Sequence, residues 1–402
     1  MARWRALASP DFPIAPAAAI TPYRLPATSQ GSEPADMSER EPTPDQVFPR
    51  DYRDARSRFL RASRAHDGVL EELMNPATAP DGNPVFTDLA WHGPAEADRV
   101  LVTISGTHGT EGYPGTAAQL AWLTSGGLPD DVALLQVHAL NPYGYAWTRR
   151  VTEGNVDLNR NFVDHDRPHP QNPGFEALFP YLCPRTWDEE TIQRCDAEIE
   201  RFAEQHGTHA LQKAISGGQY QHPDGIFYGG TAPVWSRRTL ETAVDGALGH
   251  ARRVAVIDLH TGLGPYGHGE RIVLHDPNGA AYRNAQASFG DDFACPALGN
   301  SVATELPGTV LEAIETRLPS VDLVATALEF GTVPTPEVRR ALRADNWLHL
   351  HAPEGSLEGE TGRKIKTELH RVFVPDDEDW RRAVLKRSLE TFDAATQWLR
   401  RG

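Results

Sequence analysis

Residues 254–269 read VAVIDLHTGLGPYGHG, and two incompatible parses of this stretch lead to different proteins. The apolar run 254–259 leads into Gly262-Leu263-Gly264-Pro265-Tyr266-Gly267, which fits the G-x-G-x-x-G dinucleotide pattern and implies a nucleotide-binding oxidoreductase. The same run also delivers His260 to its carboxyl end, as a metal site requires. A dinucleotide loop needs a helix to open within the glycines, its N-terminus facing the pyrophosphate. Here Pro265 is followed by Tyr266-Gly267-His268-Gly269 and then by RIVLH at 271–275, another strand-like run. The nucleotide reading fails on context; the glycines read instead as a flexible turn by which the chain leaves the strand immediately after His260, and the histidine is left to explain.

Three further runs share the character of 254–259: RVLVTISG at 99–106, VALLQVH at 132–138 and LVATAL at 323–328. Short, nearly continuous apolar runs are how strands buried on both faces read, and helix-like segments lie between them. The expected fold is therefore α/β, with a mixed, largely parallel twisted sheet and helices on both faces. Helices are predicted from Tyr52 (apolar at Ala55, Phe59 and Ala62), over 114–123, 186–205, 236–250 and 376–401, and a further strand over 85–92. Thr186 and Glu189 form a capping-box pattern, with Gly207 closing that helix. The last helix carries one apolar stripe at Leu385, Leu389, Phe392, Ala395 and Leu399.

Reactive residues follow each of the four runs. Thr107-His108-Gly109-Thr110-Glu111-Gly112 comes after the first, Asn141-Pro142 after the second, His260 after the third and Glu329 after the fourth. These are strand carboxyl ends, where open α/β sheets place ligands. Two imidazoles and a carboxylate hold zinc while leaving a position open for water. An isolated H-x-x-E is mostly a chance match, an ordinary polar turn, but its place beside two other strand-end groups favours metal. Glu329, delivered from a buried strand, is otherwise an ion-pair or capping partner; an unpaired buried carboxylate is costly enough to favour a general base.

The stretch 141–162, NPYGYAWTRRVTEGNVDLNRNF, completes a pattern: H-x-x-E, N-P-x-G, D-x-N-R-N-[FW], a distant histidine and a final glutamate. It resembles the zinc carboxypeptidases of the carboxypeptidase A superfamily. The SGTHGTEGYPG turn, the EFGT ending and DNWLH at 345–349 make it similar to a bacterial branch known only as a domain of unknown function. The resemblance runs from about Val47 to the C-terminus, with its motifs confined to 103–162, 254–270 and 326–332. It implies a zinc carboxypeptidase-like fold and one zinc per chain, bound by His108, Glu111 and His260, with Glu329 as general base and acid. It also implies that Asn159 and Arg160 clamp a substrate carboxylate and that Arg150, or its neighbour Arg149, polarises the scissile carbonyl. The superfamily's mobile tyrosine is not placed by motif; Tyr266 and Tyr282 are the candidates, with Tyr266 expected along the substrate's edge.

The implied activity is zinc-dependent hydrolysis of an amide or peptide bond next to a free carboxylate, on a small peptide. The alternative is an N-acyl amino acid amidohydrolase of aspartoacylase or succinylglutamate desuccinylase type. An inactive binding module would lack a ligand or the base, and neither is missing. No G-x-S-x-G nucleophile elbow and no H-x-E with P-C-x-x-C deaminase pattern is present.

Bulk properties agree. A net charge of −16 over 402 residues argues against nucleic acid as partner. No apolar run approaches a membrane span of ~20 residues. Arginine supplies 35 of the 39 basic residues, so a single arginine outside a motif says little. Cys183, Cys195 and Cys295 include no C-x-x-C, which fits a reduced, cytoplasmic chain. Residues 1–46, rich in Pro, Ala, Ser and Thr, are expected to be a disordered extension, with Met37 a possible start, ahead of a single catalytic domain over 47–402. Within it, an insertion at about 163–230, with GGQYQHPDGIFYGG at 217–230, is expected to wall the substrate. The oligomeric state is not encoded in any motif.

Overall fold

The computed structural model describes residues 42–401; most of the expected extension, Met37 included, lies outside the described residues. Seven strands, β1 (Val69–Thr78), β2 (Pro84–His92), β3 (Arg99–Ile104), β4 (Ala133–His138), β5 (Arg253–Tyr266), β6 (Gly269–Ile272) and β7 (Asp322–Gly331), form one sheet in the order β1-β2-β4-β3-β5-β7-β6. The four central strands β4, β3, β5 and β7 are mutually parallel. The outer strands β1, β2 and β6 pair antiparallel. This is the mixed α/β architecture with a parallel centre that the four apolar runs imply.

The helices in chain order are α1 (Pro44–Val47), α2 (Tyr52–Ala65), α3 (Gly112–Ser125), α4 (Pro142–Ala146), α5 (Pro173–Leu182), α6 (Glu189–His206), α7 (Thr208–Ser216), α8 (Trp235–Leu248), α9 (Ala280–Phe289), α10 (Val310–Arg317), α11 (Thr335–Leu350), α12 (Glu360–Phe373) and α13 (Glu378–Arg400). Strand periodicity splits the core in two. Leu101, Ala255 and Ile257 face one layer with Ala117 and Ala121 of α3 and Phe392 and Leu399 of α13. Val100, Val102, Val254 and Val256 face the other, with Leu240 and Val244 of α8 and Leu311 of α10. Both faces of the central strands are thus dry, which is why they read as continuous apolar runs.

Two local expectations are corrected. The cap of α6 is Asp188, whose carboxylate accepts from Thr191 N, and not Thr186; the shorter acid sits at the position where the backbone turns helical, and Thr186 meets Thr191 through its hydroxyl. The glycines after His260 are not a turn that ends the strand. β5 continues to Tyr266 through a bulge: Thr261 pairs with Phe330 and Tyr266 with Gly331, leaving 262–265 without partners on β7. Gly262 and Gly264 sit at φ +127° and +103°, in the region that favours glycine. β6 then returns beside β7, so no helix opens at the G-x-G-x-x-G run.

Candidate metal centre

β3 ends at Ile104, and the chain reaches α3 through His108 and a 3₁₀ turn over Gly109–Glu111. That turn lies directly on α4. A Cβ on Gly109 would fall 1.9 Å from the backbone carbon of Gly144, so only glycine permits the contact. Asn141 shapes the other side: its Oδ1 accepts from Gly144 N at 2.8 Å and caps the short helix. Gly109 N and Thr110 N donate to the carbonyls of Arg150 and Arg149 at 3.3 and 2.9 Å. The H-x-x-E, N-P-x-G and Arg149-Arg150 segments are therefore one interlocked unit.

His108, Glu111 and His260 converge, all buried, with one ligand atom from each lying within 4.8 Å of the others. His108 Nδ1 is 2.9 Å from Glu111 Oε1, and His260 Nδ1 is 3.1 Å from Glu111 Oε2. The far ring nitrogens meet two further carboxylates, Asp157 Oδ1 at 3.2 Å from His108 Nε2 and Asp258 Oδ2 at 2.8 Å from His260 Nε2. In the tautomer with each Nε2–H donating outward, each Nδ1 lone pair would face the centre, as a metal ligand needs. His108 Nδ1 is buried without a hydrogen-bond partner, an orphan that a cation would satisfy. Nitrogen, nitrogen and carboxylate with an open side is a donor set that fits zinc.

The electrostatics point the same way. Burial disfavours the charged Glu111 carboxylate, yet His108 and His260 hold it below the ordinary carboxylate range. Burial likewise opposes a charged His260, but Asp258 and Glu111 hold its pKa well above the ordinary histidine value. A concentration of negative charge here calls for a cation or a proton.

Glu329 stands beside these three residues as the Cα partner of His260 across β5 and β7. Burial, and then the Glu111 charge, push its carboxyl up to about 8. Leu263 N, in the bulge, donates to its Oε1 at 3.0 Å. Arg150 reaches Asp157 Oδ2 with Nε at 2.8 Å and Glu111 Oε1 with Nη1 at 3.2 Å. Arg149 points elsewhere, to Asp345 at 2.9 Å.

Asn159 and Arg160 follow Asp157 in the chain, and both are engaged by the backbone. Asn159 Oδ1 accepts from Val310 N, and Arg160 donates to Ser216 O through Nε and Nη2 and to Asn159 O through Nη1. Phe227, from the 217–230 stretch, has the guanidinium carbons of Arg150 and Arg160 at 5.0 and 5.8 Å from its ring centre, so that stretch packs onto the site. Tyr266 is 53% exposed, and its hydroxyl turns to Asp377 at the start of α13. Tyr282 packs edge-on against Phe293, 5.2 Å between ring centres.

Asp157, Asp258 and Phe227 were not singled out from sequence. Asp157 opens the D-x-N-R-N motif. Asp258 precedes His260 by two residues on a strand, hence on the same face, a signal available from periodicity alone. Nothing in the sequence marks Phe227, which sits at φ +54°.

A family model described as a protein of unknown function, DUF2817, matches residues 48–387. The chain belongs to that family. This DUF2817 member has no match among curated proteins. Solved structures that align with it include carboxypeptidase A from Helicoverpa armigera, at 12% identity over 83% of this chain and 76% of that one, TM-score 0.42. Bovine thrombin-activatable fibrinolysis inhibitor aligns at 11% identity over 84% and 98%, TM-score 0.40. An aspartoacylase family protein from Mesorhizobium loti aligns at 14% over 72% and 68%, TM-score 0.35. At such distances none of them decides the chemistry of the DUF2817 chain.

Proposed function

We propose that the protein is a zinc-dependent hydrolase, one zinc per chain, that cleaves an amide or peptide bond next to a free carboxylate. The observation that carries this reading is the pairing of His260 with Glu329 on adjacent strands: a proton-holding carboxyl placed beside a three-residue metal site. Zinc held by His108, Glu111 and His260 would supply Lewis acidity to a water and to the substrate carbonyl.

The chain's own groups divide the remaining work. With a cation bound at the three residues Glu329 would be a carboxylate; Leu263 N–H fixes its Oε1, so Oε2 is the atom that takes a proton from the attacking water. As the new C–O bond forms and the C–N bond breaks, Glu329 gives that proton to the leaving nitrogen. Arg150 supplies guanidinium N–H groups toward the carbonyl oxygen, and its contacts to Glu111 and Asp157 fix its direction. Of Arg160's five N–H groups three hold backbone carbonyls, leaving two for a substrate carboxylate.

Glu329→Gln should retain zinc and lose nearly all turnover; near wild-type rate in that variant sinks the assignment. A panel of dipeptides against N-acyl amino acids separates a carboxypeptidase from an N-acyl amino acid amidohydrolase by which leaving group is released.

A further inference from the structure

The motif DNWLH, Asp345–His349 on α11, is used by none of the steps above, yet its ends enter a charged cluster beside the metal centre. Asp345 is buried and takes Arg149 Nε on Oδ2 at 2.9 Å, and Lys366 of α12 donates to its Oδ1. The Lys366 ammonium also donates to His349 Nε2 at 2.7 Å and to the carbonyl of Thr148 at 3.3 Å. All three of its N–H groups are thereby committed, two to α11 and one to the backbone just before Arg149. Arg149 Nη2 further donates to Asn155 Oδ1 at 3.1 Å.

The segment so gripped is the one that aims Arg150. Thr148 is at φ +48°, a left-handed conformation that a threonine keeps only when its surroundings impose it. Two residues later Arg150 meets Glu111 and Asp157, and the carbonyls of Arg149 and Arg150 receive the amides of Thr110 and Gly109, respectively, from the candidate metal-binding turn. Arg149 and Arg150 therefore point apart from one short backbone stretch. One is anchored in the α11–α12 cluster and the other is directed at the metal ligands.

We propose that Lys366 and Asp345 are positioning residues for Arg150: by fixing the Thr148–Arg149 backbone they set the direction from which Arg150 reaches Glu111 and the substrate carbonyl. The role of Arg150 in turnover rests on the hydrolase reading; the coupling of Lys366 to Arg150 does not. Residues that act through one another are non-additive in a double-mutant cycle, whereas independent structural residues add.

The test is the cycle of Lys366→Met and Arg150→Met in the full-length zinc-loaded protein, with Asp345→Asn as a second entry to the cluster should Lys366→Met fold poorly. Arg150→Met is expected to lower kcat roughly 10²-fold, as loss of one transition-state donor does. Lys366→Met and Asp345→Asn should each lower kcat about tenfold with KM nearly unchanged, and should change it little in the Arg150→Met background. Equal losses in both backgrounds overturn the proposal, as does an unchanged kcat in both single variants. If no amide substrate is turned over by wild type, the hydrolase reading fails, and the same four proteins are compared by urea unfolding. A cost for Lys366→Met that shrinks when Arg150 is absent then supports the coupling, and strictly additive costs refute it.

Discussion

Replacing Glu329 by glutamine should make the metal-free protein more stable as well as inactive. Burial, then the neighbouring Glu111, raise this carboxyl from 4.5 to about 8. The unfolded chain releases the proton above pH 4.5, while the folded chain keeps it until about pH 8. Between those values the folded state binds more protons than the unfolded one, so folding stability falls as pH rises, by about 1.4 kcal/mol per pH unit. At pH 7 the cost reaches about 3 kcal/mol, and it levels off near 5 kcal/mol above pH 8. Glutamine keeps the acceptor for Leu263 N and has no such cost. Urea unfolding of chelated wild type and Glu329→Gln at pH 5, 7 and 8.5 should therefore show a gap that is small at the first, about 3 kcal/mol at the second and larger still at the third. Saturating zinc should shrink it, because a cation restores the carboxylate's favoured charge. A gap that does not change with pH, or that favours wild type at high pH, would show that burial and Glu111 do not raise the Glu329 carboxyl.

Further outcomes follow from the same contacts. Gly109→Ala drives a Cβ into the backbone of Gly144; it should cost about 3 kcal/mol in urea unfolding and release the metal, since backbone cannot yield as a side chain would. Asp258→Asn removes the charge behind His260 and leaves one acceptor oxygen where His260 Nε2 and Thr107 Oγ1 now meet two; zinc affinity measured by chelator competition should fall about 10- to 100-fold. Tyr266→Phe should leave kcat and KM unchanged in steady-state assays, because its hydroxyl faces Asp377. Phe392→Ala, at a fully buried position against Trp122, should cost about 3–5 kcal/mol without altering zinc stoichiometry.

What could be read from sequence follows the burial pattern. β3, β4, β5 and β7 were legible because both of their faces are dry, and the residues at their ends were legible because parallel strands bring those ends to one edge. β1 was not: its VLEELMNPAT carries charges within an edge strand of mixed exposure, and its apolar spacing imitates a helix. The bulge at 262–265 was hidden because its glycines signal a turn regardless of whether the strand resumes at Tyr266. The same limit applied to side chains. Adjacent arginines 149 and 150 are indistinguishable in sequence, and their opposite directions are set by Asp345 and Asp157, each remote from one of them in the chain or in the motif. Backbone capture of Arg160 by Ser216, more than fifty residues away, has no local signature.

Every proposed step depends on His108, Glu111 and His260 holding a metal ion. Elemental analysis of purified protein, after chelation and re-addition of zinc, tests that binding most directly. One zinc per wild-type chain is expected, and none in folded His108→Ala or His260→Ala variants. Wild-type protein that acquires no zinc, or variants that hold it as well as wild type, would contradict it.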